Sequence, residues 1–273
     1  TVPRLGSLRQ NPTVARVWSS LAALARWLGH RGGYMLLTAE DDALAARPSE
    51  QFARAWLDLA VVSLLWGMLL GWLWSTCWTF FGDYTGVYLV QVAAVGSVMV
   101  LWLVRRPLVA FCSYLSRDVG GRAAAIAAVT IALFMLLLCI RPHDYRELHS
   151  PQQWAWLYPL AVQRVLLLMP LWGAWSMIIL TQFCRPCERT EPAVAAFARG
   201  CGAFTAAALM ALPLGLSFVY LHYLGWWRPA VPLAAAILGG LALCRLDGGL
   251  TRRALLASNF LTQLAFLVMY LVR

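Results

Sequence analysis

Residues 56–81 read WLDLAVVSLLWGMLLGWLWSTCWTFF, an apolar run whose one charged side chain, Asp58, stands near its start. A helix rises about 1.5 Å per residue, so about 20 such residues cross the hydrocarbon core of a bilayer. Six more runs of this character follow, at 85–104, 123–140, 157–182, 202–224, 230–244 and 254–272. Without water to satisfy the backbone, a chain of such runs spans lipid as helices. The expected fold is all-α, a polytopic transmembrane helical bundle of about seven spans. The composition agrees: 61% hydrophobic and 12% charged residues cannot be arranged around one water-soluble core. The simplest partition is a cytoplasmic amino-terminal arm over residues 1–52 and a transmembrane domain over residues 53–273.

The connections between the runs fix an expected orientation. All 22 basic residues counted as Lys+Arg are arginine, so the net charge of +10 rests on guanidinium groups, and chemistry that needs a lysine is excluded. With the amino terminus inside, 17 arginines fall on the cytoplasmic side and 4 outside, with Arg164 within a span. That bias favours an N-in, C-out arrangement. The charges sit in short connections between apolar runs, so the lipid bilayer and its anionic head groups are the expected partners and nucleic acid is not.

Other features refine this picture. In the arm, Val14, Val17, Trp18, Leu21, Leu24, Ala25 and Leu28 recur at helical spacing and predict a basic amphipathic helix, lying in the head-group layer or packed on a partner subunit. The acidic stretch from Thr38 to Glu50, with Glu40, Asp41 and Asp42, reads as a solvated linker in which Thr38 with Asp41 caps a short helix. Trp72, Trp74, Trp78, Phe80 and Phe81 crowd one end of the first span, and Trp154, Trp156, Trp226 and Trp227 lie near other outer ends, as an aromatic belt requires. Pro159 and Pro170 predict a bend in the fourth run. The sixth run is short and is expected to form a tight hairpin with the seventh through residues 245–249.

Few residues offer chemistry. Arg164, inside a span, needs a partner: a structural ion pair with Asp58, helix carbonyls, or an anionic ligand. Cys184 and Cys187 form a CxxC in a basic loop, but a zinc site takes four ligands, and the nearest further sulfur, Cys201, has no histidine beside it. The seven cysteines do not form a secreted disulfide framework and read as small hydrophobes. His143 and His149 lie in an outer loop at a spacing that does not share a helix face, and His222 is the one histidine within a span. No Gly-rich phosphate loop, Ser/His/Asp order or HExxH pattern occurs, so no cofactor and no catalytic residue are expected.

Gly248-Gly249-Leu250-Thr251, with Ala257 and Asn259 beyond it, looks like a terminal motif G-G-x-T-G-D-x-x-G-A-x-N-E. Ser116-Arg117 with Val119-Gly120 is similar to an S-R-I-G element, and Arg164 falls where a corresponding helix carries an arginine. On these residues the chain from about residue 38 onward resembles the cobalamin-5-phosphate synthase family, the adenosylcobinamide-GDP ribazoletransferases. The resemblance implies a helical fold in a bacterial inner membrane. It also implies a magnesium-dependent site facing the cytoplasm, and there the sequence departs from the family pattern. Arg252-Arg253 occupy the G-D positions and Phe260 the final E, while Arg105-Arg106 begin the stretch that should be Asp-rich. Arginine in place of a metal ligand inverts the local charge. The expectation is a non-catalytic subunit, a scaffold or anchor working with other membrane subunits, in which Arg105, Arg106, Arg252 and Arg253 are possible anion contacts. The alternative is a transferase acting on a corrinoid, isoprenoid or nucleotide diphosphate substrate.

Overall fold

The structure, a computed structural model, describes residues 31–81, 86–140, 161–221, 225 and 227–272. The amphipathic segment of the arm, the outer loop with His143 and His149, and Trp154, Trp156, Pro159, His222 and Trp226 lie outside the described residues. The protein is an all-α multi-pass bundle. Two short helices, α1 (Gly32–Thr38) and α2 (Asp41–Ala45), precede a 3-10 turn, Ser49–Arg54, that leads into α3 (Ala55–Phe81). Then come α4 (Val87–Leu103), α5 (Arg105–Leu115), α6 (Val119–Cys139), α7 (Ala161–Phe183), α8 (Pro192–Gly200), α9 (Ala203–Leu221), α10 (Ala230–Asp247) and α11 (Arg252–Leu271). Six of the described helices are long and apolar enough to cross a membrane, and α4 and α5, bent by 78° from one another, pass that test only when taken together.

α7 is the hub of the bundle, with 78% of its apolar window buried. It packs antiparallel to α3 through Gly67, where a Cβ would stand 2.7 Å from the Leu167 backbone, and one turn on through Gly71, which faces Gln163 at 3.5 Å. Small residues let two helix backbones approach where lipid supplies no hydrophobic drive between helices. Its indole groups find acceptors on α9, Trp172 Nε1 donating to Ser217 Oγ and Trp175 Nε1 to the Ala206 carbonyl, each at 3.1 Å. By contrast α6 buries only 11% of its window, so most of its surface faces lipid or a neighbouring protein.

The fourth run keeps a continuous helix through Pro170, and the sharp break of the described chain lies elsewhere. Pro170 sits inside an unbroken α7 held by close neighbours on α3 and α11, where protein contacts can cover the backbone group that proline frees. The sharp break is at Val104 instead. α4 ends in a π-helical turn, Met99–Leu103, and α5 sets off at a steep angle with Pro107 in its first turn, where the missing N–H costs no helical bond. α5 buries Leu108, Ala110 and Cys112 and meets α11 through Phe111 and Phe260, ring centroids 5.5 Å apart. The basic connection after the second span is thus a helix rather than a loop. The predicted hairpin between α10 and α11 is present: Gly248 adopts a left-handed φ of 76° and Gly249 N–H donates to the Cys244 carbonyl at 2.9 Å. Of the first-span aromatics, Trp72, Trp78, Phe80 and Phe81 are exposed as a belt requires, whereas Trp74 is buried edge-on against Tyr88.

Candidate functional site

One end of the bundle gathers α1, α2, α5, α8 and the α10–α11 turn, and with them most of the arginines singled out in the sequence. The arrangement starts from an electrostatic conflict. α11 begins Arg252-Arg253, placing two positive charges on the helix N-terminus, the end whose dipole disfavours them. Thr251 supplies the cap, its Oγ1 accepting from Ala254 N–H at 3.1 Å, while the two guanidinium groups turn away to separate acceptors.

Arg252 is 4% exposed and closes the C-terminus of α1. Its Nη2 donates to the Leu36 carbonyl at 3.1 Å and the Ala39 carbonyl at 2.6 Å, its Nε also reaches Leu36, and its Nη1 donates to the Asp41 carboxylate. The last carbonyls of a helix have no intrahelical partner, so the guanidinium satisfies groups that would otherwise be left without donors. Asp41 is 74% exposed, so its ion pair adds little by itself.

Arg253 belongs to a second cluster. It donates to Asp247 Oδ1 at 2.5 Å and lies over the Tyr114 ring at 4.1 Å. Tyr114 and Thr251 hydroxyls both donate to Asp247 Oδ2. Arg106 pairs with Glu40 at 2.8 Å, both side chains partly or largely exposed, and Arg105 is exposed. The acidic stretch is therefore not a free linker: Glu40 and Asp41 are counter-ions for α5 and α11. Its helix α2 has no side-chain cap, and Thr38 closes the end of α1 by donating to the Tyr34 carbonyl.

Between these clusters lies an open polar recess of about 310 Å³, lined by Arg189, Glu191, Leu246, Asp247, Thr251, Arg252 and Arg253. Glu191 has a buried Oε2 without a hydrogen-bond partner, and burial pushes its carboxyl pKa up, with Arg252 opposing the shift and Asp41 adding to it. Among the described residues no group of three or more His, Cys, Asp and Glu side chains is arranged to hold a metal ion.

The sequence-based pairing of Arg164 with Asp58 does not form. Asp58 pairs with Arg31 at 3.2 Å. Gln163 faces Gly71, so antiparallel packing puts Arg164 some 20 Å along α3 from Asp58. Arg164 is 2% exposed near the start of α7, donates to the Tyr220 carbonyl at 3.5 Å and lies 6.0 Å from the Tyr220 ring. Cys201 sits at the α8–α9 junction, where its carbonyl accepts from Gln182.

No family model, curated protein or solved structure matches this chain. The roles above rest on the geometry alone. Tyr114, Glu191 and Asp247 went unmarked in the sequence, each in or beside a short polar connection with nothing local to set it apart. The usable signal was the unfavourable Arg-Arg at a helix start, which calls for nearby acids.

Proposed function

We propose that the chain is a non-catalytic integral membrane subunit, a scaffold or anchor within a larger complex of a bacterial inner membrane, with its amino terminus in the cytoplasm. The observation that carries this reading is the engagement of Arg252. Where the resembling ribazoletransferases carry G-D in their terminal motif, this chain has Arg253 at the aspartate position, paired with Asp247, and beside it the buried guanidinium of Arg252, which fastens the arm to the bundle. Phe260, at the position of the motif's final E, packs on Phe111 in the core. The exposed faces of α6, α9 and α10, each with under a third of its apolar window buried, are the surfaces available to other membrane subunits and to lipid. Arg105 and the other exposed arginines of the same end meet anionic head groups, with the arginine bias of the connections setting the orientation.

The reading is tested by extracting the protein from its native membrane in mild detergent and measuring the intact mass of the purified species. A stoichiometric assembly with other integral membrane polypeptides is expected. A lone chain, free of partners under conditions that preserve other membrane complexes, contradicts it. A second reading, a transferase of the ribazoletransferase type acting on a corrinoid, isoprenoid or nucleotide diphosphate, is favoured by one feature. The recess presents Arg189, Thr251 and Arg253 to an anionic group beside the carboxylates of Asp247 and Glu191.

A further inference from the structure

α11 carries Asn259 and Gln263 one turn apart, both buried in the apolar bundle, where every polar group needs a partner. They answer each other in part. Gln263 Nε2 donates to Asn259 Oδ1 at 2.6 Å, and Asn259 Nδ2 donates to Met177 Sδ at 3.5 Å. Gly173 of α7 makes the room, since a Cβ there would stand 2.7 Å from Gln263 Nε2 and 3.0 Å from Asn259 Nδ2. Two groups are left over. Among the described residues Gln263 Oε1 accepts from no donor, and the hydroxyl of Ser63, a buried residue of α3, has no hydrogen-bond partner.

Both residues line one cavity. It lies where α3, α7 and α11 meet the break between α4 and α5, with Leu103 and Pro170 on its walls and Leu37 of α1 toward the arm. Ser63 is about 12 Å along α3 from Ala55, and Gln263 about 16 Å along α11 from Arg252, so the cavity sits in the spanning part of the bundle. Its space for the centre of a water molecule is about 20 Å³, and one water needs about 10–15 Å³ of such space. A third acceptor borders it. Leu103 closes α4, and its carbonyl has no helical donor, because Pro107 lacks an N–H and Leu108 N–H goes to the Val104 carbonyl at 2.7 Å.

We propose that this cavity is a binding site for a single ordered water, which bridges the Ser63 hydroxyl of α3 to Gln263 Oε1 of α11 beside the α4–α5 break. A water accepts the Ser63 proton, donates one of its own to Gln263 Oε1 and keeps a second for the Leu103 carbonyl, within the two to four partners that a buried water takes. A dehydrated monovalent cation is the rival occupant. It is disfavoured because every residue on the walls is uncharged, so its charge would stand uncompensated inside the bilayer. Ordered water is one of the means by which an interrupted helix in a membrane satisfies the backbone groups it frees.

The test images the full chain in lipid nanodiscs at a resolution that shows ordered water. Density within hydrogen-bond distance of both Ser63 Oγ and Gln263 Oε1 is expected. Lack of that density, or rotation of the two side chains into direct contact, overturns the site without any variant. Thermal unfolding in detergent then reads the bridge. Ser63→Ala and Gln263→Met should each lower the midpoint, and the double variant should lose clearly less than the sum, because either change alone removes the shared water. Additive losses overturn the bridging. Replacing sodium by choline should leave the wild-type midpoint unchanged; a rise that requires sodium and that Gln263→Met abolishes overturns the water in favour of a cation.

Discussion

Replacing Arg252 with methionine keeps most of the side-chain volume and removes every donor, so it isolates what the guanidinium does. In the wild type the group is 4% exposed and serves the Leu36 and Ala39 carbonyls. Each buried acceptor left without a donor costs about 1–3 kcal/mol, so the two together predict a loss of roughly 2–6 kcal/mol. The lost pair with Asp41 adds little because that carboxylate is 74% exposed, and exposed pairs contribute about 0–1 kcal/mol. The two contributions separate experimentally. Arg252→Met should lower the thermal unfolding midpoint in detergent and make the chain near Arg47 more sensitive to trypsin, whereas Asp41→Asn should stay close to wild type. Arg252→Lys, which keeps the charge but not the fork of donors, should fall between them. The reasoning is refuted if Arg252→Met melts like wild type, or if Asp41→Asn is the more damaging change.

Three further outcomes follow from the packing and the buried groups. Gly67→Val should disrupt the α3–α7 contact, since even a Cβ at that position stands 2.7 Å from the Leu167 backbone, and thermal unfolding in detergent should show a loss of at least about 1–3 kcal/mol. Arg164→Leu strips the Tyr220 carbonyl of a donor and should destabilise by about 1–3 kcal/mol, read as a lowered unfolding midpoint; an unchanged midpoint would show the buried guanidinium to be dispensable. Glu191, whose carboxyl pKa is raised in the folded state, binds its proton more tightly there than in the unfolded chain. Its contribution to stability is therefore present below the ordinary carboxylate range and declines as pH rises through the raised value. Glu191→Gln should remove that part of the stability–pH profile, measured as unfolding midpoint against pH.

The spans were legible because lipid demands long apolar runs, a signal carried by each segment alone. All seven described apolar segments match runs read from the sequence, and Gly248-Gly249 marked the last turn correctly. What escaped were features set by contacts between segments. Proline is a local sign of a bend, yet Pro170 sits in a continuous helix while the chain breaks at Val104, where the apolar run ends before Arg105-Arg106-Pro107 but nothing local foretells that a second helix sets off at 78°. Asp58 and Arg164 appeared to be natural partners until the antiparallel register of α3 and α7 placed them at different depths. The acidic stretch is solvated, as read, but its ion pairs escaped because the partners, Arg106 and Arg252, lie 66 and 211 residues away in sequence. A stricter electrostatic reading of Arg252-Arg253 at a helix start would have sought those acids.

We propose that the end of the bundle holding Arg252 and Arg253 fastens the protein together and performs no metal-dependent transfer. A bound magnesium ion held by carboxylates is a usual means of stabilising a diphosphate leaving group, and binding without such stabilisation does not accelerate the step. The most direct test reconstitutes the protein in liposomes, supplies adenosylcobinamide-GDP and ribazole phosphate with and without magnesium, and follows product formation. The account predicts turnover no greater than that of empty liposomes in either condition. Magnesium-dependent turnover above that level, abolished by Asp247→Asn or Glu191→Gln, would contradict it and assign the recess as an active site.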